Sequence, residues 1–167
     1  TTALLFGLDL DYVSLTLPRI PCAEEAEKIT ALAELCSENF ADYNAERMAR
    51  LIKKRMSSGE IFVIEHKNNI AGFIMFSKKN KTIDHIAVSP DYRRIGIASR
   101  LMVTAMAQFE VGEELSAVTF RQEHPMSDGV SRMYKKFGFD DEKNIVVRGE
   151  PLVKRTAVVP EKAIITE

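Results

Sequence analysis

Between Thr82 and Leu101 the chain reads TIDHIAVSPDYRRIGIASRL, an apolar strand pattern that gives way to Ser89-Pro90-Asp91, then to a basic turn containing Gly96, then to a helix pattern. Proline cannot extend a ladder and glycine has no β-carbon, so the backbone must leave a strand and turn sharply into a helix here. A helix start leaves several N–H groups unpaired and carries the positive end of the macrodipole. The amides of Gly96, Ile97, Ala98 and Ser99 are therefore placed to meet a phosphate, with Ala98 small enough to allow approach and Arg93 and Arg94 adding charge. Neither GxxxxGK(S/T) nor GxGxxG is present, which sets aside two other phosphate loops. Taken alone, the spacing favours a routine strand-to-helix junction with solvated basic residues.

Around this junction the patterning is that of a mixed α/β domain. Tyr12 to Leu17 alternates as a strand, closed by Pro18 and Pro21, and Leu4 to Leu10 is apolar enough for another. An acidic run at Glu24 opens a helix with Ile29, Leu32, Ala33, Leu35 and Cys36 at helical spacing, and a second helix spans about Ala45 to Met56. Strands follow at Ile61 to Glu65 and Ile70 to Phe76, joined by Lys67-Asn68-Asn69, and then at Thr82 to Val88. The longest helix is expected from Ile97 to Phe109, a strand at Leu115 to Phe120, and a short helix from Val130 to Phe137 stopped by Gly138. Strands near Ile145 to Arg148 and Leu152 to Val159 complete the order β-α-α-β-β-β-α-β-α-β-β. No repeat or linker divides it, so residues 1–167 are expected to form one domain.

Composition narrows the function classes. With 23 basic and 24 acidic residues the chain has no global field to attract nucleic acid or an anionic membrane, so any anion site must be local. Arg93, Arg94, Arg100 and Lys53-Lys54-Arg55 are too few for a broad nucleic-acid surface. Cys22 and Cys36 form no CxxC motif, and with only His66, His85 and His124 no metal site is expected. The two cysteines fit a reducing, cytoplasmic setting, and no apolar run approaches membrane-spanning length.

Arg93, Gly96 and Ala98 match the pattern Q/R-x-x-G-x-G/A, and the segment resembles the cofactor-binding motif of the GNAT superfamily of N-acetyltransferases. Downstream, Met133-Tyr134-Lys135-Lys136-Phe137-Gly138-Phe139 is similar to that family's Leu-Tyr-x-x-x-Gly-Phe segment, with Met in place of Leu. The resemblance covers about residues 13–158 and is strongest over 82–139. The chain departs from the pattern at Ser127 and Val130, where the family often has Asn and Ala; the Asn position often helps hold the cofactor.

The resemblance implies a mostly antiparallel sheet with helices on both faces and two central strands splayed apart. It also implies acetyl-CoA as cosubstrate, with its diphosphate on Arg93 to Ser99 and its pantetheine arm along the backbone of Ile86, Ala87 and Val88. Acetyl would pass to a primary amine of a small-molecule or peptide acceptor by direct attack. Tyr134 corresponds to the tyrosine that in many members lies near the coenzyme sulfur, which makes it the candidate acid; a packed core tyrosine is the competing reading. Asp84 corresponds to an acidic residue some members use as base. Strand alternation puts it on one face with Ile86 and Val88, and His85 on the other. Glu123 and His124 are further candidates, and Tyr92 belongs to the turn. In the first two helical segments Asn39, Asp42, Tyr43 and Glu46 could face the acceptor. A noncatalytic acyl-CoA-binding regulatory module is the alternative function, and edge strands near the C-terminus allow a homodimer.

Overall fold

A computed structural model describes residues 15–122, 124–125 and 127–161. Six strands form its sheet: β1 (Ile61–His66), β2 (Asn69–Ser77), β3 (Thr82–Val88), β4 (Glu114–Phe120), β5 (Asp141–Val147) and β6 (Glu150–Val158). They lie in the order β1-β2-β3-β4-β6-β5, with every neighbouring pair antiparallel except β3 and β4. Four α-helices are described, α1 (Ala26–Leu35), α2 (Ala45–Ser58), α3 (Ile97–Met106) and α4 (Ser127–Lys136).

Side-chain alternation divides the core in two. Ile61 and Val63 of β1 and Phe73 and Met75 of β2 pack with Ile29, Leu32, Met48 and Ile52, so α1 and α2 cover one face. Phe62, Ile64, Ile74 and Phe76 pack with Leu101, Met102, Ala105 and Met106, so α3 covers the other, joined by Tyr134 of α4. Each fully buried side chain of this kind stabilises the fold by about 1.5–3 kcal/mol. Gly72 sets how closely α3 approaches: a β-carbon there would lie 2.9 Å from the Ala87 carbonyl oxygen and 2.9 Å from Ile97 Cγ2.

Local chemistry explains the element ends. Asn44 caps α2, its side chain accepting from the Arg47 amide at 2.9 Å, and Gly59 ends the helix at φ +71°. In the β1–β2 hairpin the left-handed angles fall on Lys67 (φ +47°) and Asn68 (φ +66°), and Asn69 opens β2. Leu35 fits a helical period but is exposed, because it lies off the buried stripe formed by Ile29, Leu32, Ala33 and Cys36. From Leu15 onward the expected first strand is reduced to isolated bridges, Leu15 with His66 and Arg19 with Val63, since the prolines cannot sustain a ladder. Its start, and the segment Leu4 to Leu10, lie outside the described residues. The α3 helix stops at Met106 rather than Phe109, and β5 starts earlier than expected, at Asp141.

β3 and β4 pair at Thr82 and Ser116 and nowhere beyond. The sheet is thus closed at one end of these strands and open at the other.

Candidate active site

The opening between β3 and β4 leads into a cleft of about 500 Å³ lined by β3, the start of α3 and α4. Ladder phase decides which backbone groups face it. The Ser89 amide donates to the Ala71 carbonyl at 2.8 Å, and Ala87 lies opposite Phe73. Alternate residues of an antiparallel strand face opposite edges, so Ile86 and Val88 turn their polar groups toward the opening. Arg93 Nε donates to the Val88 carbonyl at 3.2 Å. The Ile86 amide and carbonyl and the Val88 amide remain directed into the gap.

At the α3 end, Arg94 (φ +66°) and Gly96 (φ +86°) swing the backbone into the helix. Arg100 donates to the Gly96 carbonyl at 3.1 Å, so the amides of Ile97, Ala98 and Ser99 precede the first helical bond and point out of the helix end. A β-carbon on Gly96 would meet nothing within 4 Å, which leaves an open cradle over these amides. Arg93, Arg94, Gly96, Ile97, Ala98 and Ser99 all border the cleft, whereas Ile95 packs against the α3 core. Lys136 donates to Ser99 Oγ at 3.1 Å and ties the two helices together. Tyr92 belongs to the turn, its hydroxyl 2.7 Å from His66 Nδ1. These residues fit the diphosphate of a coenzyme A thioester: amides at a helix start, room above Gly96, and cations beside it.

At the other end β3 departs from simple alternation. Met75 pairs with His85 but Phe76 pairs with Ile83, so Asp84 is an extra residue in a β-bulge. The bulge corrects the expected facing. Ile83, Ile86 and Val88 point toward α3, whereas Asp84 and His85 both turn toward the α1–α2 face. Asp84 accepts from Arg55 Nε at 2.8 Å and from Thr82 Oγ1 at 2.7 Å. His85 meets Phe40 edge-on, with ring centroids 5.0 Å apart, and its buried Nδ1 has no hydrogen-bond partner. Burial, together with the Arg55 charge and against the Asp84 charge, pulls its pKa down to about 4, so the ring is neutral near neutral pH.

Tyr134 comes from α4 and is buried against Phe139, with ring centroids 5.2 Å apart, while lining the cleft. Burial, reinforced by the Asp84 charge and opposed by Arg155, pushes its phenol above the ordinary range, so it remains a proton donor. Arg155 is itself buried and anchors this corner through Thr119 Oγ1 at 2.8 Å, Ser131 Oγ at 2.7 Å and Glu142 at 2.5 Å. No local motif announces that network, because Arg155 and its three partners come from four separate elements.

A second cavity, of about 510 Å³, lies between α2 and the β5–β6 hairpin and shares Asp84 and His85 with the cleft. Asn39 lines the cleft and Asp42 the second cavity; Tyr43 and Glu46 line neither. Ser127 is buried, donates its hydroxyl to the Gln122 carbonyl at 3.0 Å and does not border the cleft. His124 stacks on Phe120 with centroids 3.8 Å apart, and Glu123 lies outside the described residues. Among the described residues no group of His, Cys, Asp or Glu is arranged to hold a metal ion, and no helix is long and apolar enough to cross a membrane.

A family model for the acetyltransferase (GNAT) domain matches residues 57–141, just over half of the chain. No curated protein sequence matches it significantly. Among solved structures, a GNAT-family acetyltransferase from Bacillus cereus superposes with a TM-score of 0.67 at 17% identity, over 86% of this chain and 96% of that one. Ard1 from Thermoplasma volcanium gives 0.65 at 19% identity, over 89% and 99%. The diaminobutyrate acetyltransferase EctA from Paenibacillus lautus, solved with L-2,4-diaminobutyric acid and coenzyme A, gives 0.64 at 17% identity, over 87% and 95%.

Proposed function

The chain belongs to the GNAT acetyltransferase family and is therefore an acyltransferase, and from that premise we propose that it moves acetyl from acetyl-CoA to the primary amine of a small-molecule or peptide acceptor by direct attack. The observation that carries the reading is the single opening between β3 and β4, with free helix amides at one end and Tyr134, Asp84 and His85 at the other. The coenzyme supplies an activated thioester, and every other requirement falls to side chains and backbone of this chain.

The amides of Ile97, Ala98 and Ser99, with Arg93 and Arg94, hold the diphosphate, and the free polar groups of Ile86 and Val88 hold the pantetheine arm as a strand would. Asp84 receives the proton that the attacking nitrogen must lose. The neutral His85 ring lines the cleft beside that nitrogen and adds no competing positive charge. As the new C–N bond forms and the C–S bond breaks, Tyr134 delivers its proton to the departing sulfur. EctA, with diaminobutyrate and coenzyme A, shows that an amine acceptor and this coenzyme can share the fold. A chain with two cysteines and no CxxC motif fits a reducing, cytoplasmic setting. Exposed Val146 on the edge strand β5 fits a homodimer.

Replacing Tyr134 with Phe removes the donor and keeps the packing. It should lower kcat about 100-fold while acetyl-CoA affinity changes by less than about twofold. Unaltered kcat would make Tyr134 a packing residue.

A further inference from the structure

Building on acetyl transfer to an amine, we infer that the acceptor is a small amine that also carries an anionic group, bound with its amine inward in the cavity between α2 and the β5–β6 hairpin. Asp84 and His85 form the wall this cavity shares with the acyl cleft, which fixes the end where the amine must lie. The remaining charge of the cavity has the opposite sign. Arg47, Arg50 and Lys54 line it from α2 and Arg148 lines it from the β5–β6 turn, against Asp42 alone. The chain as a whole has 23 basic and 24 acidic residues, so this excess is local.

Positions 47, 50 and 54 are spaced as one helix face, so their cations converge on the same space. Asp42 meets Arg47 at 3.2 Å with one oxygen and Arg148 at 2.6 Å with the other. A carboxylate therefore already bridges two of the four cations. Arg50 and Lys54 are exposed at the rim and, among the described residues, make no ion pair. A plain cation would have to lie beside this basic wall, whereas an amine with an anionic group sets each charge against its opposite. The cavity volume, about 510 Å³, is that of a small-molecule site.

The test is thiol release from acetyl-CoA with a series of ω-amino acids and diamino acids, their carboxamides, alkylamines of matching length and aminoalkyl phosphates. The best anionic acceptor should exceed its neutral counterpart about tenfold or more in kcat/KM. Carboxylate and phosphate arms tell the two anions apart, and preference for either supports the inference. The Arg50→Gln/Lys54→Gln variant, altered only at exposed positions, should bring the anionic-to-neutral ratio to within about twofold by raising KM for the anionic acceptor. Neutral amines used as well as anionic ones, or an undiminished ratio in the variant, would overturn the inference and leave acetyl transfer intact. Thiol release to a peptide amine but to none of these small acceptors would overturn the inference and keep acetyl transfer, whereas acetyl-CoA binding with release to neither class would overturn both.

Discussion

Asp84 and His85 are consecutive, yet the bulge places both side chains on one face of the sheet, where an alternating strand would divide them. His85 is held neutral by burial, with its pKa near 4 against an ordinary 6.5. Between those values an unfolded chain binds a proton that the folded chain refuses, so stability falls as pH drops from about 6.5 toward 4. Replacing His85 with Leu removes this linkage. The loss of urea midpoint between about pH 7 and about pH 5 should then be smaller in the variant than in the parent. Equal losses would contradict a His85 held neutral in the fold. Glu25 acts in a lower window: its hydrogen bonds from Arg19 draw its pKa from 4.5 to about 2, so its stabilisation is present above 4.5 and lost as pH falls through 2.

Among the elements, α3 matters most, since its first turn supplies the proposed diphosphate cradle and Gly72 sets its distance from the sheet. In Gly72→Ala the new methyl meets the Ala87 carbonyl and Ile97, and the backbone cannot yield as a flexible side chain would. The variant should lose about 1–3 kcal/mol in urea unfolding and bind acetyl-CoA more weakly, because the first turn of α3 must move. Full stability and affinity together would show that the close approach has no role. The Arg93 to Ala98 turn and the helix ending at Gly138 were legible in the sequence because both depend on local backbone chemistry. The Asp84 bulge was not, since the pattern Thr82 to Val88 is equally compatible with regular alternation. The bridge from Arg148 to Asp42 joins residues 106 positions apart, and the Arg155 network joins β4, β5, β6 and α4, so neither leaves a local trace.

For the whole molecule, the sheet behaves as two parts, β1-β2-β3 and β4-β6-β5, joined directly by one register pair at Thr82 and Ser116. That weak seam lets the cleft open between them, and α3 and α4 bridge it from one side. In the proposed reading, a thioester lying along β3 takes up the polar groups that β4 leaves unpaired. The most direct test is calorimetric titration with acetyl-CoA and coenzyme A, followed on the same sample by thiol release with amines, with Gly96→Val as the comparison. The parent should bind acetyl-CoA and release thiol to an amine, and Gly96→Val, with a branched side chain in the cradle at φ +86°, should bind at least tenfold more weakly. A parent that binds neither compound, or a Gly96→Val variant that binds as well as the parent, would contradict the assignment of this opening as the acyl-CoA site.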